Sequence, residues 1–199
     1  RFADGTEIEL NTDTVLRTRM TTAERTVWLD KGEAYFHVKH DAAHPFTVLI
    51  GDRRVTDLGT EFVVEHNAAE TQVAVVTGRV RFDAPDVQTG VKAATLTRGD
   101  TATASVVAMF IAKKSAQELA DHLAWRRGVL VFRHTALGDA VNEFNRYNTT
   151  KLTISDPAVA SMPIGGVFRT DNLDDFTRAA QAVLGLHVRR EGKNIAIMR

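Results

Sequence analysis

Two stretches of the chain repeat each other at a spacing of 46 residues, Glu24 to Phe36 over Glu70 to Phe82. Val27, Leu29, Gly32, Ala34 and Phe36 fall on Val73, Val75, Gly78, Val80 and Phe82. Each stretch alternates apolar and polar residues, meets a glycine, and alternates again, which is the pattern of strand, turn and strand. Units of this kind, with their apolar positions in phase, stack to bury a core that neither closes alone. Further short alternating runs surround them, at Thr6 to Leu10 and Phe46 to Val48, with turn residues between the runs, among them Arg98-Gly99-Asp100. The pattern predicts an all-β, twisted, solenoid-like domain over 1–112, with Val27, Leu29, Phe36, Val73, Val75 and Phe82 buried.

From Lys113 the period changes. Ser115 to Ala124 reads as helix or linker, so 113–124 is taken as the connection. Over 125–199 the order becomes strand, helix, strand, twice. Val129 to Phe132 is a strand, and Leu137, Ala140, Val141 and Phe144 recur at helical spacing behind Thr135 as N-cap. Lys151 to Ser155 and Ile164 to Arg169 are strands. Asp171 is placed as the cap of a second helix carrying Leu173, Phe176, Ala180, Val183 and Leu184, which stops at Gly185. Leu186 to Arg190 and Asn194 to Met198 close as a hairpin. The halves echo each other at a spacing of 36: Val131-Phe132-Arg133 against Val167-Phe168-Arg169, and Leu137 and Asp139 against Leu173 and Asp175. This predicts a small α+β domain of two βαβ units.

Composition narrows the function classes. The 199 residues hold 25 Lys and Arg against 25 Asp and Glu, so bulk charge makes no case for nucleic acid or for direct contact with an anionic membrane. Residues 1–124 carry 14 basic and 18 acidic groups (net −4), and 125–199 carry 11 and 7 (net +4). The absence of cysteine excludes disulfides, thiol nucleophiles and Cys-ligated metals. No run approaches the roughly 20 apolar residues of a membrane-spanning helix. The chain opens at Arg1 with neither Met nor a signal pattern, and is read as a piece of a longer protein.

Chemistry is sparse. His37, His40 and His44 are the one cluster with metal-ligand character, but His37 and His40, three apart on or beside a strand, face opposite ways. Asp174-Asp175 suits a helix N-terminus without any catalytic role. None of the four serines sits in a nucleophile elbow, and there is no phosphate loop or dinucleotide fingerprint. Trp28 and Trp125 read as core or junction anchors. The residues point to a non-enzymatic chain with no cofactor. A carbohydrate- or metal-binding β-domain with an accessory α/β domain is the alternative, and a hydrolase with scattered acids ranks behind it.

Several segments, in order, resemble one family. They are Asp4-Gly5-Thr6 with Leu10-Asn11, then Leu29-x-x-Gly32-Glu33-Ala34-Tyr35-Phe36, Pro45-Phe46-Thr47-Val48, and Leu58-Gly59-Thr60-Glu61-Phe62. Leu96-x-x-Gly99-Asp100, Trp125-Arg126-x-Gly128-x-Leu130-Val131-Phe132 and Glu143-Phe144-Asn145-Arg146-Tyr147 follow. Together they resemble the FecR family of anti-sigma regulators. The resemblance implies a cytoplasmic sigma-binding segment and one membrane helix, both upstream of this chain, and a periplasmic sensor, which is the part in hand. It implies that the N-terminal signalling domain of a TonB-dependent outer-membrane transducer, typically for a ferric siderophore, contacts the sensor. An extracytoplasmic-function sigma factor is then set free. It implies also that 125–199 is similar to the secretin/TonB N-terminal domain.

Alternation along the C-terminal strands supplies a candidate contact face. Phe168 and its repeat mate Phe132 are assigned to the helices, which leaves Val129, Val131, Val167 and Arg169 on the opposite side, apolar with a cation at the rim. Residues 125–199 offer two amphipathic helices and enough strands for a core of their own. Expressed alone, they are expected to give a cooperative melt and dispersed amide signals; a featureless spectrum would refute their autonomy.

Overall fold

The computed structural model describes residues 1–57, 59–86 and 90–199, and divides into two compact units, Arg1–Leu119 and Ala120–Arg199. Leu58 of the family-like segment lies outside the described residues. Unit 1 holds β1 (Glu7–Leu10), β2 (Val15–Met20), β3 (Arg25–His37), β4 (Phe46–Ile50), β5 (Arg53–Asp57), β6 (Glu61–His66), β7 (Thr71–Thr77), β8 (Arg79–Asp86), β9 (Gly90–Thr97), β10 (Asp100–Ala104) and β11 (Met109–Lys113). Hydrogen bonding runs β11-β10-β7-β6-β3-β4-β5-β8-β9, with β1 and β2 also on β3.

β3 belongs to two leaves. Its first half pairs with β2 and β4, and its second half with β1 and β6. The change falls at Gly32, at φ +93°, where an added Cβ would stand 2.5 Å from the Thr14 Cα. The second copy crosses the other way at Gly78 (φ +73°), from β7 in one leaf to β8 in the other, with Thr60 packed on the glycine. Thr14 and Thr60 are themselves 46 apart, as are the β2 and β6 spans. The duplication is therefore longer than its apolar pattern shows.

The copies do not stack directly on one another. β6 stands between β3 and β7 in one leaf, and β4 and β5 stand between β3 and β8 in the other. Both leaves feed one core. Val27, Leu29, Phe36, Val73, Val75 and Phe82 are all buried in it, as the repeat predicts. Phe36 stacks on Phe62 with ring centroids 4.9 Å apart, and meets Phe46 of the other leaf at 5.9 Å. On the outer side of the Phe36 leaf, Tyr35, Val63 and Ala74 are buried as well, so strict alternation is lost there. Trp28 is not a core anchor. It points outward, half-buried, with the Arg17 and Arg19 guanidinium groups 5.8 and 5.9 Å from its ring.

The expected connection is helical over α1 (Ala116–His122), followed by a 3₁₀ turn, Leu123–Arg127, closed by Gly128 in the left-handed conformation. Next come β12 (Val129–Ala136), α2 (Leu137–Tyr147), β13 (Lys151–Ile154), α3 (Pro157–Ala160), β14 (Pro163–Arg169), α4 (Leu173–Leu184), β15 (His187–Glu191) and β16 (Asn194–Met198). The order strand, helix, strand recurs, but the strands of each such unit do not share a sheet. β12 pairs with β14, while β13 runs parallel to β16, which also pairs with β15. Phe132, Phe144, Phe168 and Phe176 come together at the centre, every ring pair lying 4.4–6.2 Å apart.

The cap assignments shift. Ala136, not Thr135, precedes α2 and offers no side-chain bond; instead the Leu137 N–H donates to the Met162 carbonyl at 2.8 Å. Asn172, not Asp171, caps α4, accepting from the Asp175 N–H at 3.0 Å. Val183 is exposed, turned away from the core in the last turn of α4, whereas Leu184 beside it packs against the core. Among the described residues no helix is long and apolar enough to cross a membrane.

Truncating Phe36 or Phe82 to Ala is expected to remove about 3–5 kcal/mol from unit 1, read as a lower denaturant midpoint in its unfolding transition. A loss under about 1 kcal/mol at both positions would refute the shared core.

Candidate functional site

β12 and β14 form an antiparallel pair whose residues alternate between a packed and an open side. Leu130, Phe132, Ile164 and Phe168 turn inward and are buried. The four residues selected from the sequence fall on the other side in direct register, Val129 opposite Arg169 and Val131 opposite Val167. Val167 is 66% exposed, Arg169 is exposed, and both valines of β12 are half-buried. At cross-strand separations of about 5 Å the apolar pair Val131 and Val167 makes one continuous surface.

Two local features hold this ribbon in shape. Gly166 faces Phe132 across the pair, at φ +151°, and a Cβ there would press within 2.8 Å of the Phe168 ring. Glycine is what lets Phe168 fold back into the core. Past Phe132 the register slips, with His134 in the left-handed region at φ 55°. The bulge bends β12 before its last residues rejoin Ile164 and Pro163.

The cation at the rim is already engaged. The Arg169 Nε and terminal nitrogen donate to the two Asp171 oxygens, each at 3.1 Å. This hydrogen-bonded guanidinium holds the Asp171 carboxyl below the usual carboxylate range. Arg133, the repeat mate of Arg169, makes the same two-pronged contact with Asp121. The sequence reading missed both acids and Arg133. The 36-residue echo contains Arg133, and Asp171 stands only two residues beyond Arg169.

Elsewhere the side chains serve the fold. His44 Nδ1 pairs with Asp41 at 2.9 Å, and His37 and His40 are exposed. Among the described residues no group of three His, Asp or Glu could hold a metal. An open hollow of about 680 Å³ lies between Phe2, Asp4, Met20 and Arg25. The buried Arg25 beside it spends its guanidinium on the His44 and Lys39 carbonyls, at 2.7 and 2.8 Å, and on Asp4, thereby tying down the segment after β3. A smaller polar hollow of about 220 Å³ is bordered by Asn148, Asn172, Asp174 and Arg190, with Asp174 and Arg190 paired to each other.

Residues 1–81 match the model of the FecR protein family. That part of unit 1 is similar to the FecR family. The match ends within β8, so it contains the first copy of the duplicated unit and the Gly78 crossing of the second. Two crystal structures, at 1.65 and 2.50 Å, each of a candidate anti-sigma factor from Parabacteroides distasonis ATCC 8503, resemble the whole chain. They are 25% and 26% identical to it, with TM-scores of 0.77 and 0.75. Each alignment covers 99% of this chain, and 92% and 91% of theirs. No curated protein matches. The FecR match and these neighbours support a regulator of sigma-factor signalling.

Arg169→Ala is expected to raise the Asp171 titration toward ordinary carboxylate values, followed by carbon NMR of the side chain. The sign follows from the lowered pKa: the attraction is present above that value and fades as pH falls through it. An unmoved titration would show that the two side chains do not pair in solution.

Proposed function

We propose that this chain is the periplasmic sensor region of a membrane-tethered anti-sigma regulator, and that it works by protein contact, not catalysis. The contact face is the open side of β12 and β14, carried by Val129, Val131, Val167 and Arg169. Its partner is the N-terminal signalling domain of a TonB-dependent outer-membrane transducer, in a system of the ferric-siderophore type. An extracytoplasmic-function sigma factor is reached through a cytoplasmic segment upstream of this chain. Unit 2 serves as a domain similar to the secretin/TonB N-terminal domain.

One observation supports the reading most: the register that sets Val131 against Val167 and Val129 against Arg169, with Val167 left two-thirds open. Apolar side chains ringed by paired charges match the composition of protein interfaces, in which an apolar centre is enclosed by a polar rim. Because Arg169 is neutralised by Asp171, the face attracts through burial more than through charge. Its binding should accordingly depend weakly on salt.

Val167→Asp tests the assignment. The side chain is exposed, so the far-ultraviolet spectrum and the melting temperature should be nearly unchanged. Affinity for the transducer's signalling domain, measured by calorimetry, should fall at least about tenfold. Wild-type affinity in the folded variant would remove this face from the account.

A further inference from the structure

Among the described residues of unit 1, exposed apolar side chains gather at one sheet edge. Val106 and Val107 in the β10–β11 turn are each 74% exposed, and Phe110 and Ile111 on β11 are 70% and 50% exposed. Among the described residues β11 pairs with β10 alone and ends the strand order on that side. The phase of its backbone follows from two bonds: Ser105 N–H to the Ala108 carbonyl, and Lys114 N–H to the Gly99 carbonyl, each 2.8 Å. Antiparallel alternation then turns the amides of Phe110 and Ala112 toward β10 and those of Met109, Ile111 and Lys113 to the open edge.

Two other terminal strands of this sheet carry charge along their length, Glu7 and Glu9 on β1 and Arg17 and Arg19 on β2, while β9 carries Lys92 alone. Such charges guard an edge against further pairing. β11 is apolar from Met109 through Ala112 and carries a charge only at Lys113. The order of the chain points the same way. β2 is followed by β3 and β6 by β7, and each pairs with its follower. A third round begins with β10 and β11, but the chain then leaves for α1.

We propose that the open edge of β11 accepts an extended strand from a partner protein, apolar along its length and carrying carboxylates at one end. Charge selects that occupant. Across residues 98–114 the cations are Arg98, Lys113 and Lys114, and the one acid, Asp100, is held by Lys113 at 3.1 Å. All three cations lie at the end of the hairpin opposite its apolar turn. An antiparallel strand with acidic residues near its N-terminus meets Lys113 and Lys114 with them, while its apolar residues cover Ile111 and Phe110. A second copy fits less well. Pairing about Ile111 sets Lys113 against Met109 and supplies no acid, and a five-residue edge falls far short of the ~1,200 Å² of a stable interface. A lipid surface would leave the outward amides without acceptors.

The probe is a synthetic peptide, Glu-Glu-Val-Thr-Val-Thr-Val, added at millimolar concentration to the full chain. Amide exchange at Ile111 and Lys113 should slow at least about tenfold, with the other edges unaffected. Replacing both glutamates by lysine should weaken binding about fivefold at low salt. Phe110→Lys, and independently Ile111→Lys, should abolish the protection while leaving the fold intact. Unchanged exchange in the wild-type chain, or protection that survives both variants, would overturn the proposal. So would a dimer, or binding to anionic vesicles, that either variant abolishes, since the edge would then belong to a second copy or to lipid. All readouts lie in unit 1, so failure here leaves the reading of the β12–β14 face untouched.

Discussion

A strand that passes from one sheet to another must bend where its neighbours change, and the bend leaves backbone groups with no strand to pair them. In unit 1 that problem falls on Glu33, just past the Gly32 kink. The Glu33 N–H donates to the Thr14 hydroxyl at 3.0 Å, and its carbonyl accepts from the Asn11 N–H at 2.8 Å and from the Thr14 hydroxyl at 3.0 Å. The Asn11 side-chain amide closes the arrangement on the buried Glu33 carboxylate at 2.7 Å. A buried amide or carbonyl left unpaired costs about 1–3 kcal/mol, so a few polar atoms permit β3 to serve both leaves. Phe36, Phe46 and Phe62 meet because that passage is possible. Asn11, Gly32 and Glu33 all lie in the segments that resemble the FecR family.

Unit 2 is organised by a different contact. Four phenylalanines from β12, α2, β14 and α4 touch one another pairwise, so the β12–β14 pair and both long helices converge on a single aromatic centre. Edge and tilted ring contacts add about 0.5–1.5 kcal/mol each beyond the area they bury. The inward placement of Phe132 and Phe168 fixes which side of the β12–β14 ribbon remains open. The open face is in this sense a by-product of core packing, since the valines point outward because the phenylalanines cannot.

The apolar positions of unit 1 and the open face of unit 2 were legible in the sequence because both rest on a period of two, which a list of residues preserves. What was not legible rests on pairing. Nothing local tells that β3 runs unbroken through Gly32 while β7 and β8 are separate strands, or that β6 stands between the copies. The parity rule also fails for Tyr35, Val63 and Ala74, which are buried on the side that should be wet. The cap of α2 is displaced because a backbone carbonyl, that of Met162, does the work expected of Thr135, and the cap of α4 falls one residue on, at Asn172, whose side chain accepts from Asp175. The partners of Arg133 and Arg169 escaped notice because a carboxylate's orientation depends on a turn geometry that spacing does not encode. Trp28 was assigned to a core because of its size, yet two guanidinium groups shelter it on the outside.

The register of β12 against β14 places repeat mates face to face. Val131 and Val167 are equivalent positions of the two halves, and they sit directly opposite each other. The ribbon consequently has a local dyad through their midpoint, with Arg133 and Arg169 as dyad-related corners, each clamped by an aspartate. A surface with its own dyad offers nearly the same footprint to a partner turned by half a rotation. The dyad is broken by Val129 against Gly165, by the bulge at His134 on β12 alone, and by the half-burial of Val131 against the exposure of Val167. A molecule seated there would take its orientation from those few differences.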